Sequence, residues 1–402
     1  MTSPLRILIA PSGFKECLDA EQVAEAIATG IQRALPEARL LKAPLTDGGE
    51  GFTRALVKAT GGSLHPAIVT GPLGQPVASH FGFLGGAGPR TAVIEMAAAA
   101  GLRLVPPHAR NPMATTTRGV GELIRAALEA GAARLLIGCG DSGTNDGGAG
   151  MAQALGIRLL NAAGGEIGAG GGALLELDRI DLSGRDSRIP RVQLEVACNW
   201  RNVLCGPGGV ARVFGPQKGA SPEMVARLEA ALERYAAIIA RDVGVDVSTM
   251  PGGGASGGLG AGLHSLLKAT LLPRYDVLVR YLDLDGLLRG ADLVVTAEGG
   301  LDARTSRGKM PAELARRAKH FRLPVIALAG TIDEDARVNY ACGIDSFSSI
   351  LEAPCTLSEA MDRAPFLIAN AAENALRYIL IGRGLPGLRK ARGHPRPRAR
   401  AG

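Results

Sequence analysis

Gly138-Cys139-Gly140-Asp141-Ser142-Gly143-Thr144-Asn145-Asp146-Gly147-Gly148-Ala149-Gly150 places six glycines in thirteen residues. The run before it, Ala133-Arg134-Leu135-Leu136-Ile137, is short and apolar and reads as a buried strand. The run after it, Met151-Ala152-Gln153-Ala154-Leu155-Gly156, reads as a short helix closed by glycine. Glycines at this density let a backbone turn sharply and approach a ligand without side-chain obstruction. Amides exposed by such a turn, with a helix start behind them, form an anion cradle. Ser142, Thr144, Asn145 and Asp146 add hydroxyls, an amide and a carboxylate. That mixture suits a small polar substrate or a metal–phosphate group. No Gly-Lys-Ser/Thr follows the glycines, so this is not a Walker A loop.

The same strand–turn–helix alternation recurs at both ends of the chain. Arg6 to Ala10 is a strand entering a Ser12-Gly13-Phe14-Lys15 turn, and the next helix carries Ala20, Val23, Ala24, Ile27, Ile31 and Leu35 on one face. Arg39 to Ala43 is a second strand, leading to Asp47-Gly48-Gly49-Glu50-Gly51. Toward the C-terminus, Ala291–Thr296 and Pro324–Ala329 are β-branched apolar runs separated by a helix near 312–320, and a final helix spans about 365–381. This grammar predicts a parallel sheet covered on both faces, of flavodoxin or Rossmann type. Residues 67–115 mix short strand runs with glycines, and Pro251–Gly260 is a glycine-rich link between helices. The expected plan is α/β with two domains: residues 1–69 plus 286–382 form a discontinuous parallel domain, and residues 70–285 an inserted α/β domain.

Composition narrows the function. The chain of 402 residues is 46% hydrophobic and 3% aromatic, which disfavours base-stacking surfaces. Its net charge of +7 matches the seven basic and no acidic residues of 383–402, so the body is near neutral. That segment is expected to be a disordered, solvated tail, and neither nucleic acid nor membrane is an expected partner. Six dispersed cysteines show no zinc spacing and read as reduced thiols; with no apparent signal peptide or spanning segment, a cytoplasmic location is expected. Six scattered histidines fit no nucleophile-elbow or zincin pattern.

Four polar turns follow strands or precede helices, where open α/β sheets bind ligands. They are Ser12–Lys15, Asp47–Gly51, Glu298-Gly299-Gly300-Leu301-Asp302 with Arg304 to Lys309, and Gln217-Lys218 before a helix near Ser221. Acids, lysines and glycine turns together describe phosphoryl transfer, in which positioning and charge neutralisation do most of the catalysis.

These segments resemble the bacterial glycerate kinase family that makes 2-phosphoglycerate. The resemblance runs from about Ile7 to Ile381, through Ala10–Lys15, Asp47–Gly51, Ile94–Leu102, Asn111–Ile124, Asn145–Gly150, Phe214–Ala220, Gly257–Leu263 and Glu298–Asp302 with Gly308-Lys309. It implies a two-domain glycerate-kinase-like architecture, an active site between the domains, and ATP and Mg²⁺ as cofactors. Lys15, Asp146, Lys218 and Asp302 are then the catalytic candidates. Ser12, Ser142, Thr144, Asn145, Asn199, Gln217, Arg304 and Lys309 are candidates for binding substrate or nucleotide, and Asp47, Glu50 and Glu298 for metal. The chain departs from the family pattern at Ser12-Gly13, Asp141, Asn199, Gly300 and Arg304. The expected reaction phosphorylates the 2-hydroxyl of D-glycerate. The departures leave open a larger or doubly anionic hydroxy acid, or a ligand-binding member without turnover; oligomeric state is not readable.

Overall fold

The structure is a computed structural model that describes residues 4–14, 17–46 and 48–384. Strands among the described residues are, in chain order, β1 (Arg6–Ile9), β2 (Arg39–Lys42), β3 (Ser63–Thr70), β4 (Pro76–Phe83), β5 (Thr91–Glu95), β6 (Arg134–Gly138), β7 (Arg158–Asn161), β8 (Leu177–Asp181), β9 (Gln193–Cys198), β10 (Thr270–Pro273), β11 (Leu293–Leu301), β12 (Val325–Ile332) and β13 (Ser346–Ser349). The described residues divide into two compact units, one within 4–44 and 286–384 and the other within 45–285.

The first unit holds a five-stranded sheet in the order β2-β1-β11-β12-β13, parallel throughout. That is the flavodoxin order, in which strand direction of travel reverses between the first and third strands. Ile7, Leu8 and Ile9 are wholly buried, as a strand covered on both faces requires. The helix Ala20–Ala34 starts at a capping box of Asp19 and Gln22 and turns Val23, Ala24, Ile27 and Ile31 inward. It crosses the final helix, Ala364–Gly384, at Gly30, where a Cβ would lie 2.0 Å from the Ala369 carbonyl. Only glycine permits that approach.

The second unit is built on a six-stranded sheet ordered β10-β9-β6-β5-β4-β3. β5, β6, β9 and β10 are parallel, whereas β3 and β4 run antiparallel at one edge. A β7–β8 hairpin is separate from this sheet. The unit boundary differs from the sequence expectation. Residues 45–69, expected with the chain ends, belong here because β3 pairs along its length with β4, Leu64 opposite Gly82. Arg383, expected to open the tail, still lies in the last helix; the rest of the predicted tail, from 385, is outside the described residues. No helix among the described residues is long and apolar enough to cross a membrane.

Candidate active site

In the second unit the strands β5, β6 and β9 end at Glu95, Gly138 and Cys198, and their following turns meet at one sheet edge. The Gly48–Gly51 turn packs against the 138–141 segment backbone to backbone. A Cβ on Gly140 would lie 2.6 Å from the Gly49 nitrogen, and one on Gly138 2.7 Å from the Gly48 carbonyl oxygen. Asp141, left-handed at φ 49°, accepts a hydrogen bond from the Glu50 amide at 3.2 Å. Arg103 pairs with the Glu50 carboxylate at 2.7 Å. This expected metal ligand is therefore matched by a guanidinium.

Beyond that contact the 142–150 turn is buried, as the density of small residues allows. Lys218, on the short turn Pro216–Lys218, buries its whole side chain while its neighbour Gln217 is exposed. The Lys218 Nζ donates to Ser142 Oγ at 2.9 Å, the Thr144 carbonyl at 2.6 Å and Asn145 Oδ1 at 2.8 Å. Three acceptors match the three N–H bonds of an ammonium. Burial pushes this amine down to about 7, with the Asp146 carboxylate acting against the shift.

Asp146 is likewise fully buried, and the chain itself occupies both its oxygens. Oδ2 accepts from the Thr117 amide and hydroxyl, each at 2.8 Å, and from Gly150 N at 3.2 Å; Oδ1 accepts from Gly148 N at 3.2 Å. Burial raises its carboxyl above the usual range against these hydrogen bonds. A carboxylate so engaged clamps the turn and the helix Ala149–Ala154 behind it. The glycine-rich 251–260 stretch clasps the same turn: Ser256, Gly257 and Gly258 are successively left-handed, and a Cβ on Gly257 would lie 1.9 Å from the Thr144 carbonyl oxygen. Thr144 Oγ1 and Asn145 Nδ2 are buried and have no hydrogen-bond partner among the described residues.

In the first unit the candidate residues gather where β1 and β11 end, at the point of reversal. Ser12 N donates to the Ala297 carbonyl, holding the turn after β1 against β11. Lys309 Nζ stands 2.9 Å from Glu298 Oε1, 3.6 Å from Asp302 Oδ1 and 3.1 Å from the Gly300 carbonyl. Thr305 donates its hydroxyl to Glu298 Oε2 and its amide to Asp302 Oδ1. Arg304 lies over Asp302, Nη2 to Oδ2 at 2.6 Å, with most of its side chain exposed. Burial raises the Glu298 carboxyl while Lys309 opposes it. Burial also acts to raise Asp302, but Arg304 and Lys309 outweigh it and hold that carboxyl below the usual range.

The structure thus brings Ser142, Thr144, Asn145, Asp146 and Lys218 together in one unit, and Glu298, Asp302, Arg304 and Lys309 in the other. Asn199 is half-buried in a turn after β9, its Oδ1 accepting from the Arg201 amide. Lys15 and Asp47 lie outside the described residues. Sequence reasoning missed Arg103, Thr117, Tyr235 and Asn339. Tyr235 underlies Gly147, where a Cβ would come within 2.6 Å of its ring, and Asn339 Nδ2 donates to the Asp302 carbonyl at 2.9 Å. Thr117 alone carried a signal, a third threonine running into a helix start.

Acids, lysines and glycine turns at the carboxyl ends of parallel strands equip a two-unit α/β phosphotransferase. The Glycerate kinase family profile matches residues 7–380. The chain belongs to the glycerate kinase family. It is 47% identical over 379 residues to the glycerate kinase of Bacillus subtilis (strain 168), covering 94% of this chain and 99% of that protein. It is 45% identical over 378 residues to the glycerate 2-kinase of Escherichia coli (strain K12), with the same coverage. A crystal structure from Salmonella typhimurium LT2, described as a glycerate kinase 2, superposes with a TM-score of 0.77 at 46% identity, covering 95% of this chain and 100% of that one.

Proposed function

We propose that the chain transfers the γ-phosphoryl group of ATP to the 2-hydroxyl of D-glycerate, giving 2-phosphoglycerate and ADP. The observation that carries this reading is the Glu298–Asp302–Lys309 cluster at the reversal point of the flavodoxin-like sheet, in a chain similar over nearly its full length to a glycerate 2-kinase. Asp302 is ionised and held in place by Arg304 and Thr305, so it suits accepting the proton of the attacking hydroxyl. Phosphoryl transfer asks for little basicity, because the bond to the leaving oxygen is largely broken before the proton moves. Lys309 supplies a point charge for phosphate oxygens. In the other unit, Lys218 keeps the glycine-rich turn in shape through its bonds to Ser142, Thr144 and Asn145.

Mg²⁺ fits the donor chemistry, since the Glu298 carboxylate already faces a cation in Lys309 and Mg²⁺ is commonly held by one or two carboxylates with phosphates. Glu298 would hold it, and when bound it neutralises charge on the β- and γ-phosphates. The larger-substrate reading has less support. Arg304 turns onto Asp302, and Gly300 is taken up in β11, where a Cβ would lie 3.0 Å from Thr331 Oγ1.

A coupled ADP-release assay with D-glycerate, with phosphorus NMR of the product, tests the proposal. Turnover to 2-phosphoglycerate is expected, and none without Mg²⁺. Folded protein that binds ATP but turns over no glycerate would overturn it.

A further inference from the structure

Glu95 ends β5 and is 4% exposed. Its carboxylate is turned onto the start of the helix Phe52–Thr60: Oε1 accepts from the Gly51 amide at 3.3 Å and Oε2 from the Thr53 amide at 2.8 Å. Helix starts normally satisfy these amides with a local Ser, Thr, Asn or Asp side chain. Here the capping position is Gly51, left-handed at φ 82° and without a side chain, and the cap comes from a strand 44 residues further along. A buried carboxylate is a costly substitute for a local serine. Burial pushes its carboxyl up to about 7 against the two amide bonds, with Glu50 also raising it and Arg54 lowering it. The His80 imidazole is 4.0 Å away, and burial disfavours its charged form as well. Among the described residues no full ion pair repays the burial.

What this arrangement achieves is rigidity in the turn just before the helix. Gly48 and Gly49 touch the 138–140 backbone, and the Glu50 amide is held by Asp141. Fixing Gly51 and Thr53 therefore fixes the wall against which the Gly138–Asn145 turn is seated. The carboxylate also fills the place at this helix start that a phosphate would otherwise seek.

We propose that Glu95 is a positioning residue for phosphoryl transfer: by capping the helix Phe52–Thr60 from β5, it sets the Gly48–Gly51 turn and, through it, the Gly138–Asn145 turn. Its effect on turnover rests on the kinase reading above; the contact itself does not.

The test compares Glu95→Gln and Glu95→Ala with the unaltered protein, by amide hydrogen exchange without substrates and by steady-state kinetics with D-glycerate. Gln keeps the volume but presents an NH₂ to one of the two amides. The expected result is at least tenfold faster exchange confined to residues 48–56 and the 138–145 turn, and kcat lowered at least tenfold with KM for ATP within twofold. Unchanged exchange in both segments, or exchange accelerated equally across the chain, overturns the proposal. So does local acceleration with unchanged kcat in an active enzyme. Should the unaltered protein not phosphorylate glycerate, the kinase reading fails while the exchange pattern still decides the positioning role. Should neither variant fold, the amides of Gly51 and Thr53 in the unaltered protein are read directly: strong protection supports the cap, and exchange at the rate of open chain overturns it.

Discussion

The Nζ of Lys218 lies 2.6 Å from the carbonyl oxygen of Thr144, 74 residues away in the chain. With its bonds to Ser142 and Asn145, that contact makes the lysine an internal strut of the glycine-rich turn. Replacing it with Met leaves three neutral, buried acceptors without their donor, and a loss of about 1–3 kcal/mol is expected.

The pH dependence of that loss has a definite sign. The Lys218 amine is lowered to about 7 in the fold and titrates near its ordinary value when unfolded. Above about pH 7 the unfolded chain therefore binds the proton that the folded one has released, and folding gains stability as pH rises. Urea unfolding from pH 7 to 9 is expected to show the unaltered protein gaining on Lys218→Met, by at most about 1.4 kcal/mol per pH unit. A constant difference would show that the amine keeps its proton in the fold.

Asp146 and Asp302 are expected to separate in their failures. Asp146→Asn turns an NH₂ toward donors that now meet an oxygen, and should cost about 2–3 kcal/mol in chemical denaturation. Asp302→Asn should cost less, about 1–2 kcal/mol, because an amide oxygen can still accept from the Thr305 amide and its other partner Arg304 is exposed, while lowering kcat about a hundredfold or more. Equal stability losses in the two variants would contradict these roles.

Tyr235 carries a buried hydroxyl without a partner among the described residues, beneath a turn that its ring supports. Tyr235→Phe is expected to be neutral or stabilising by about 1 kcal/mol, since it removes an unsatisfied polar group at little change in shape. Tyr235→Ala should cost about 3–5 kcal/mol through the cavity left behind. Thermal melts of the two variants check both.

Arg304 and Lys309 together hold the Asp302 carboxyl low. Arg304→Gln should therefore raise it and move the acid limb of kcat/KM to higher pH, by a fraction of a unit given the exposure of the arginine. An acid limb that stays in place would separate Asp302 from the titration that governs turnover.

Much of this architecture is written in local pattern. Ile7–Ile9 and Leu135–Ile137 are apolar on both faces and stand out as buried parallel strands, and Gly147-Gly148 before Ala149 marks the helix start. β3 is obscured because it is an edge strand, with Pro66 inside it and Leu64 and Ile68 facing solvent, so no apolar alternation shows. The site is harder to read for a different reason. Lys218 looks like any loop lysine between Gln217 and Gly219, since its burial is imposed by acceptors more than 70 residues away. Asp146 looks like a catalytic acid in a polar turn until Thr117 is seen beside it. Glu95 ends an apolar run, and only the folded chain reveals the bare helix start that it faces.

The interlock of Gly49 with Gly140 bears on how this enzyme could be re-engineered. Two segments ninety residues apart are fitted main chain to main chain, so a side chain gained in one has no side chain opposite that could shrink to make room. A library aimed at new acceptors would spend its diversity poorly on positions 48, 49, 138 and 140, where most members would be lost before any specificity was sampled. Variation is better directed at Arg304, whose exposed guanidinium can change without moving the frame that carries it.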